Sequence, residues 1–301
     1  MVYHKPVLLQ EVIEGLNLCD TGTYADLTFG GGGHSKEILK KLTTGILYAF
    51  DQDLTAHKNH IKSDNLKLIH ANFRDFQSFL RMQNIQKLNG IFADLGVSSY
   101  QIDNSERGFS FRLNGALDMR MNINGENNAY EVVNKYPQEE LQDIFYNYGE
   151  LTNAKQIARV IVKSRMKKAI ITTQDLVDVV IPFTKGKNSN KFLARIFQAI
   201  RISVNNEMEC LKEMLLQATD ILKDGGRLAV ISYHSLEDRL VKNLIKYGNI
   251  EGVQEKDFYG NRKKKFKQIN KKIIVPKNEE LKQNPRARSA KLRIAERICN
   301  E

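Results

Sequence analysis

The sequence predicts an α/β fold in which a doubly wound parallel sheet is interrupted by a block of helices. Strand and helix patterns alternate over the first hundred residues, as expected for repeated βαβ units. From about residue 105 to 205 the strand signal almost vanishes, and it returns in an apolar run near residue 230. We therefore expect a discontinuous sheet domain over 1–104 and 206–301, with 105–205 inserted as a helical substrate-recognition domain.

The strands are predicted from short apolar runs, several of which end in a polar residue. Five of them belong to the main sheet: Tyr24–Thr28, Ile46–Phe50, Leu66–His70, Gly90–Ala93 and Arg227–Ser232. The tail of the chain adds two strand-like segments, Lys271–Val275 and Ala290–Arg297. We expect these two segments to complete an edge of the sheet.

The inserted block carries apolar positions at three- and four-residue spacing, which predicts helices. The predicted helices are Tyr136–Tyr148, Ala154–Lys168, Thr173–Ile181 and Lys191–Cys210. Thr172 marks a helix start, and Gly149 and Gly186 are expected to mark helix ends. A further helix over Leu211–Leu222 leads back to the sheet through a turn at Asp224–Gly226.

The segment Asp26–Ser35, DLTFGGGGHS, joins the first strand to a predicted helix over Lys36–Leu42. Glycines after a strand leave backbone N–H groups open at a helix start, which suits close contact with a ligand. The segment lacks the lysine of a Walker loop, and Ser35 stands where the dinucleotide fingerprint has glycine or alanine. This pattern favours a cofactor without phosphates, such as S-adenosylmethionine, and leaves NAD open.

Carboxylates lie toward the carboxyl ends of three predicted strands: Asp26 is on the first strand just before the loop, Asp51 ends the second, and Asp94 ends the fourth. Ligands of open α/β sheets bind at the carboxyl ends of the strands. Asp51 follows the glycines by about twenty residues, where an acid accepts the ribose hydroxyls of an adenosine. Phe73 is a candidate to lie against the adenine ring. Asp94 is expected to point at the reactive end of the cofactor, with Gln101 in the same pocket.

Two histidines follow predicted strands and have two interpretations each. His34 either binds a carboxylate of the cofactor or caps the helix that follows, and we prefer the first. His234 either touches the substrate or caps the helix that Ser235 begins, and both alternatives stay open.

Positive charge is concentrated near the end of the chain. The net charge of the 301 residues is +11, and residues 261–301 hold 14 Lys or Arg against 4 Asp or Glu. This predicts an anionic polymer as partner, most simply nucleic acid. The basic clusters are Arg262–Lys267, Lys271–Lys272 and Arg286–Arg297, and the Arg- and Phe-rich loop Asp103–Met121 is a second candidate for RNA contact.

Apolar runs, the N-terminal pattern and the spacing of cysteines indicate the location of the protein and the state of its thiols. No apolar run approaches the ~18 residues of a membrane span, and the N-terminus has no signal pattern. Cys19, Cys210 and Cys299 lie far apart without metal-ligand spacing. We expect a cytoplasmic protein with reduced thiols, no metal site and no membrane contact, present as a monomer or homodimer.

Several motifs together carry a family resemblance. They are TFGGGGHS, FADLGVSS, ERGFSFR, GALDMRM, FQAIRI, ISYHSLEDR and NPRARSAKLRIAER. Over His4–Arg297 the chain thereby resembles the bacterial ribosomal RNA small-subunit methyltransferase H family, also called MraW. The resemblance implies a class I, Rossmann-like S-adenosylmethionine-dependent methyltransferase sheet with a helical insertion. It also implies methyl transfer to the exocyclic N4 of a cytidine in the decoding region of small-subunit ribosomal RNA. The implied cofactor contacts are Gly32, Gly33, His34, Asp51, Phe73, Asp94 and Gln101.

The chemistry of a cytosine amine points to particular side chains. Its lone pair is shared with the ring, so a hydrogen-bond acceptor on the N–H must expose it. We expect Asp94 to be that acceptor, with Ser98 or Ser99 assisting and Asp118 as a weaker candidate. No cysteine lies near Asp94, Ser98, Ser99 or Asp118 in the sequence, which argues against the covalent route to ring carbon C5.

Two other function classes are alternatives. An NAD-dependent oxidoreductase fits the glycine loop and Asp51 but leaves the basic tail unexplained. A non-catalytic RNA-binding or ribosome-assembly protein fits the tail but not a complete cofactor edge. Binding of NAD in preference to S-adenosylmethionine favours the first, and RNA binding without methyl transfer favours the second.

Overall fold

The computed structural model describes residues 6–184, 189–254 and 264–299. The chain divides into two compact units. The first unit comprises Met1–Gly96 and Met208–Glu301, and the second comprises Val97–Glu207. The role of the second unit in recognising the substrate stays a prediction.

The first unit contains a seven-stranded sheet whose order is β3-β2-β1-β4-β5-β7-β6. The strands are β1 (Thr23–Asp26), β2 (Ile46–Asp51), β3 (Leu66–His70), β4 (Leu88–Asp94), β5 (Leu222–Ser232), β6 (Phe266–Gln268) and β7 (Lys291–Arg297). The first five strands pair in parallel, and β7 runs antiparallel to both of its neighbours. The α/β fold with a mainly parallel, interrupted sheet is thereby confirmed.

The described residues form twelve α-helices in addition to short 3₁₀ turns. They are α1 (Leu9–Leu16), α2 (Gly33–Leu39), α3 (Phe76–Met82), α4 (Ser99–Asp103), α5 (Ala129–Lys135), α6 (Gln138–Asn147), α7 (Ala154–Arg165), α8 (Thr173–Val180), α9 (Ser189–Asn205), α10 (Glu207–Ile221), α11 (Ser235–Tyr247) and α12 (Asn278–Gln283). Helices α4 to α9 belong to the second unit.

The sheet is buried on both faces, as the continuous apolar runs of its strands predict. In β4, Ile91, Phe92 and Ala93 have no exposed surface. Because successive side chains point to opposite faces of a strand, three buried residues in a row require cover on both sides. The sequence therefore places β4 in the middle of the sheet, where its carboxyl end meets those of β1 and β5.

The second unit has an apolar core of its own, formed by one stripe of each helix. In α7, Ile157, Ala158 and Ile161 are fully buried, which is the three- and four-residue spacing of an amphipathic helix. Helix α8 begins at a capping box in which Thr172 Oγ1 accepts the Asp175 N–H at 3.0 Å. The predicted helix start at Thr172 is confirmed.

Two predicted elements differ from the structure. The expected helix Lys191–Cys210 is wrong, because Asn206 takes a left-handed conformation (φ 49°) that ends α9 and separates it from α10. The predicted strand Lys271–Val275 is wrong as well, since only Ile274 pairs, as a single bridge to Leu292. The edge strand is instead β6, anchored by the buried ring of Phe266.

Two smaller differences have local causes. Helix α2 begins at Gly33, earlier than predicted, so that the last glycine belongs to the helix. Strand β5 begins at Leu222 and runs through the predicted turn, where Gly225 has a φ of 78° and the register with β4 shifts. The predicted helix end at Gly186, and Arg262 and Lys263 of the basic cluster, lie outside the described residues.

Candidate active site

The candidate site lies in the first unit, at the carboxyl ends of β1, β2 and β4. Strand β1 pairs in parallel with both β2 and β4. The three strands end at Asp26, Asp51 and Asp94. Because parallel strands end at the same edge of a sheet, the topology brings the three predicted carboxylates together.

The glycine loop follows β1 at this edge. Gly30 and Gly32 have φ values of 50° and 72°, which favour glycine. A Cβ at Gly32 would lie 2.9 Å from the Phe29 ring, whereas no described atom lies within 4 Å of a Cβ position at Gly31. The loop therefore presents bare backbone with open space beside it.

Asp51 is tied to the glycine loop by its own carboxylate. Oδ2 accepts the Gly30 N–H at 2.8 Å, and Oδ1 accepts the Asp53 N–H at 2.8 Å. Burial raises the pKa of Asp51 above its usual value, and the two backbone hydrogen bonds counteract this. Each carboxylate oxygen keeps a second lone pair, so the oriented group can still accept two hydroxyls.

Asp26 has a structural role at the start of the loop. Its Oδ2 accepts the Ser35 hydroxyl at 2.6 Å, and its Oδ1 accepts the Thr28 N–H at 3.1 Å. The residue is 1% exposed, and burial raises the pKa of Asp26 to about 6. These bonds join the end of β1 to the first turn of α2 and thereby set the path of the glycines.

Asp94 ends β4, and one of its two carboxylate oxygens accepts a hydrogen bond. Its backbone N–H donates to Thr28 Oγ1 at 2.6 Å, and its Oδ1 accepts the Tyr233 hydroxyl at 2.8 Å. Burial raises the pKa of Asp94 to about 7, with smaller contributions from the charges of Asp26 and Glu237. Asp94 therefore titrates much closer to neutral pH than an ordinary aspartate.

His34 lies inside α2 and is 8% exposed. Its Nε2 is 2.9 Å from the Val7 carbonyl oxygen, and its ring centroid is 4.5 Å from that of Phe92. Burial lowers the pKa of His34 to about 4, so the neutral ring donates this bond. The helix cap is Gly32 and has no side-chain bond, so His34 does not cap α2. Its contact with the cofactor stays a prediction.

Gly33 and Phe73 complete the predicted cofactor residues of the first unit. A Cβ at Gly33 would lie 2.3 Å from Pro6 Cγ, so this glycine permits close packing. Phe73 begins a 3₁₀ turn just after β3, capped by Asn72, and is half-buried. It therefore lies near the carboxyl end of β3, as the sequence predicts, and its contact with an adenine ring stays a prediction.

His234 caps helix α11, one of the two alternatives that the sequence left open. Its Nδ1 accepts the Glu237 N–H at 3.4 Å, and Glu237 Oε2 accepts the backbone N–H groups of Tyr233 and His234. Glu237 is 3% exposed. The capping box therefore fixes the turn that follows β5.

The remaining predicted residues belong to the second unit. Ser98 and Gln101 form the capping box of α4, in which Ser98 Oγ accepts the Gln101 N–H at 3.2 Å and Gln101 Oε1 accepts the Ser98 N–H at 3.0 Å. Ser99 is the first residue of that helix. Both carboxylate oxygens of Asp118 accept hydrogen bonds from Arg120, the shortest at 2.7 Å.

Sequence reasoning missed Tyr233, Thr28 and Ser35 as hydrogen-bond partners of Asp94 and Asp26. Thr28 Oγ1 accepts the backbone N–H of Asp94, and the Ser35 hydroxyl donates to the Asp26 carboxylate. Tyr233 follows β5 at the same sheet edge, and its position in the motif ISYHSLEDR was the available signal. The rule that polar residues at strand ends form the site applies to it as well.

Some basic residues in the two segments that were predicted to contact RNA are instead buried and bonded within the protein. In the loop Asp103–Met121, Arg107 is 7% exposed and donates to the carbonyls of Arg120 and Met121. In the tail, Arg293 is 8% exposed and pairs with Asp238 at 2.7 Å. Other basic residues of the tail are exposed: Lys264, Lys267, Lys271, Lys272, Lys277, Lys282, Arg286 and Arg288.

The family model and the curated relatives that match this chain agree with each other. The model of the MraW methylase family matches residues 1–298. The chain belongs to the MraW methylase family. A ribosomal RNA small subunit methyltransferase H from Phocaeicola vulgatus is 54% identical over 297 residues, covering 98% of each chain. The protein of that name from Flavobacterium johnsoniae is 54% identical over 299 residues, covering 99% of each chain. Among solved structures, an rRNA methylase from Streptococcus thermophilus is 13% identical with a TM-score of 0.42, covering 99% of each chain.

Membership in this family decides between the function classes that the sequence left open. The predictions of a methyltransferase and of S-adenosylmethionine as its methyl donor are confirmed. The alternatives of an NAD-dependent oxidoreductase and of a non-catalytic RNA-binding protein are not supported. Within the described part of this MraW protein, no helix is both long enough and apolar enough to cross a membrane.

Proposed function

We propose that this MraW protein transfers a methyl group to the exocyclic N4 of a cytidine in small-subunit ribosomal RNA, near the decoding site. Its curated relatives carry the name ribosomal RNA small subunit methyltransferase H. The choice of the cytosine amine is supported by one observation above all. Asp94 ends the central strand with one carboxylate oxygen held and the other available as an acceptor.

The residues of the sheet edge fit the methyl donor. The open backbone at Gly31 and the oriented carboxylate of Asp51 suit an adenosine without phosphates. Asp51 binds the ribose hydroxyls, Phe73 lies against the adenine, and Gly32, Gly33, His34 and Gln101 belong to the same proposed set. When bound, S-adenosylmethionine supplies a methyl group whose bond to sulfur breaks as the N–C bond forms, leaving the electron pair on sulfur.

Asp94 acts on the other reactant. Its carboxylate accepts one N–H of the cytosine amine, which exposes the nitrogen lone pair, and it takes the proton that the nitrogen loses before passing it to solvent. Most of the remaining acceleration comes from alignment of the reacting atoms. Asp94 is preferred to Asp118 because both oxygens of Asp118 already bond to Arg120. Ser98 and Ser99 are retained as assisting hydroxyls.

The proposed RNA contacts follow the distribution of charge. Eight Lys and Arg side chains of the described tail are exposed, whereas Arg293 is buried in an ion pair. We assign phosphate binding to the exposed set, and substrate recognition to the helical insertion. The target base must leave its stack to reach a reacting carboxylate. We further propose that the enzyme acts in the cytoplasm, where ribosomal RNA is made, and that it is a monomer or homodimer.

The test uses labelled S-adenosylmethionine with small ribosomal subunits and with free ribosomal RNA from a strain that lacks this protein. Products are digested, and the nucleosides are identified by mass. We expect N4-methylcytidine from the native protein, and a loss of at least about a hundredfold in rate for Asp94→Asn. Another methylated nucleoside would overturn the choice of the cytidine N4. Undiminished transfer by Asp94→Asn with normal cofactor binding would overturn the role of Asp94.

A further inference from the structure

Tyr233 links the ends of two neighbouring strands at the candidate site. Strands β4 and β5 are parallel, with Asp94 opposite Ile231. Tyr233 therefore lies two positions beyond the level of Asp94 and just past the end of β5. From there its hydroxyl donates a hydrogen bond of 2.8 Å to Asp94 Oδ1.

The tyrosine is itself held at both ends. Its backbone N–H donates to Glu237 Oε2 at 2.8 Å, and Glu237 is fixed by the capping box of α11. The ring packs against the apolar core of the first unit. A side chain restrained at its backbone, ring and hydroxyl can hold its partner in one orientation.

The two carboxylate oxygens of Asp94 consequently differ. Oδ1 accepts the Tyr233 hydroxyl, whereas Oδ2 accepts no hydrogen bond from any residue in 6–184, 189–254 or 264–299. The backbone N–H of Asp94 bonds to Thr28 Oγ1, which fixes the main chain as well. The arrangement leaves one specific oxygen for a substrate donor.

The charged groups around Asp94 and Tyr233 are negative. Asp26 from β1 and Glu237 from α11 add to the burial that raises the pKa of Asp94, and the hydrogen bond from Tyr233 opposes this rise. Burial, together with the charges of Asp94, Glu237 and Glu280, raises the pKa of the Tyr233 phenol. The phenol is therefore protonated at neutral pH and can donate its hydrogen to the Asp94 carboxylate.

We propose that Tyr233 is a positioning residue for methyl transfer, whose hydroxyl holds Asp94 Oδ1 so that Oδ2 accepts the N–H of the cytosine amine. This inference rests on the proposed function, since it concerns the acceptor assigned there. Tyr233 acts through Asp94, with no direct contact to the reacting atoms. Without the hydroxyl, the carboxylate gains rotational freedom and takes up a proton at higher pH.

The first test compares Tyr233→Phe with Tyr24→Phe in a pH profile of kcat/KM. Tyr24 is the matched control, because its hydroxyl accepts the backbone N–H of Cys19, which lies before the start of β1 and away from the carboxyl edge of the sheet. In Tyr233→Phe we expect the acid limb to move up by about 1 pH unit, since a hydrogen bond to a charged group has about that effect. Affinity for S-adenosylhomocysteine at pH 8, measured by calorimetry, should change less than about threefold. An unmoved limb, or the same movement in Tyr24→Phe, would overturn the proposal.

A second readout needs no RNA. The ¹³C carboxyl signal of Asp94, assigned by its loss in Asp94→Asn, is titrated in the native protein and in Tyr233→Phe. We expect the midpoint to rise in the variant, and an unchanged midpoint overturns the inference. If the native enzyme methylates another nucleoside while the midpoint still rises, the proposed base fails and the role of Tyr233 in holding Asp94 stands.

A further substitution covers the case in which Tyr233→Phe does not fold. Incorporation of 3-fluorotyrosine at position 233 keeps the ring and hydroxyl while making the phenol a stronger donor. The acid limb and the Asp94 midpoint should then move to lower pH. Movement in the opposite direction, or none, contradicts the proposed hydrogen bond.

Discussion

Asp26 and Asp94, at strand ends of the first unit, and Asp175, at a helix start of the second, all accept short hydrogen bonds. Burial nevertheless raises the pKa of Asp26 to about 6 and that of Asp94 to about 7. For Asp175, the backbone hydrogen bonds from Thr172 and Ile171 prevail over a weaker effect of burial and hold its pKa below the usual value. Depth in the fold, more than the number of hydrogen bonds, decides which carboxyls titrate near neutral pH.

The two units also differ in the surroundings of the polar residues that the sequence places at the candidate site. The carboxylates of the first unit lie at the ends of parallel strands, where an open sheet binds ligands. Ser98, Gln101 and Asp118 of the second unit have local structural partners, in a capping box and an ion pair. The difference between site geometry and local stabilisation leads to four predictions, given from the largest expected effect to the smallest.

Replacing the central carboxylate should have the largest effect. In Asp94→Asn the amide carbonyl can still accept from Tyr233, but the amide nitrogen cannot accept an N–H. We expect the single-turnover rate of methyl transfer to fall about 10²–10⁴-fold. Asp224→Asn, at an exposed carboxylate near the start of β5, serves as the control and should retain activity. A larger loss of rate in Asp118→Asn than in Asp94→Asn would show that the main catalytic carboxylate belongs to the second unit.

Asp51→Asn should weaken cofactor binding with a smaller effect on the rate at saturation. Loss of hydrogen bonds to a charged acceptor corresponds to roughly 10- to 100-fold in Kd for S-adenosylhomocysteine by calorimetry. Asp64→Asn removes an exposed carboxylate between β2 and β3 and is the matched control. Unchanged affinity in Asp51→Asn would exclude its role with the ribose.

The raised pKa of Asp26 has a consequence for stability. Because its folded pKa of about 6 exceeds the ordinary 3.8, its favourable contribution is complete below about pH 3.8 and is lost as pH rises through 6. Between pH 4 and pH 8, the free energy of unfolding of the native protein should therefore decline more steeply than that of Asp26→Asn. The expected difference in urea denaturation is roughly 1–3 kcal/mol. Parallel pH curves would show that Asp26 ionises normally.

Ser98→Ala should have the smallest effect and should appear mainly as a loss of stability. Removing a helix N-cap costs about 1 kcal/mol, which lowers the melting temperature by a few degrees. Ser98→Thr retains the capping oxygen, so its melting temperature should be close to that of the native protein. A hundredfold loss of methyl transfer in Ser98→Ala at unchanged melting temperature would instead give Ser98 a larger part in the chemistry than that of the proposed assisting hydroxyl.

Local pattern was sufficient for much of the fold. Strand Leu66–His70 and the start of α8 at Thr172 agree with the prediction, because apolar runs and capping residues act over a few neighbours. The break at Asn206 and the short pairing of Ile274 were not predictable in this way. A left-handed residue and a single bridge depend on which distant segment is available to pack or pair.

By itself, the sequence determined the class of the fold, the family and the edge of the sheet at which Asp26, Asp51 and Asp94 lie. Only the tertiary structure decided what each polar group bonds to: His34 to the Val7 carbonyl, His234 to its own helix start, and Tyr233 to Asp94. The physical reason is the separation along the sequence of the residues that interact. Strand ends and glycine loops follow from neighbouring residues, whereas the partner and burial of a side chain are set when segments 27 or 139 residues apart are packed together.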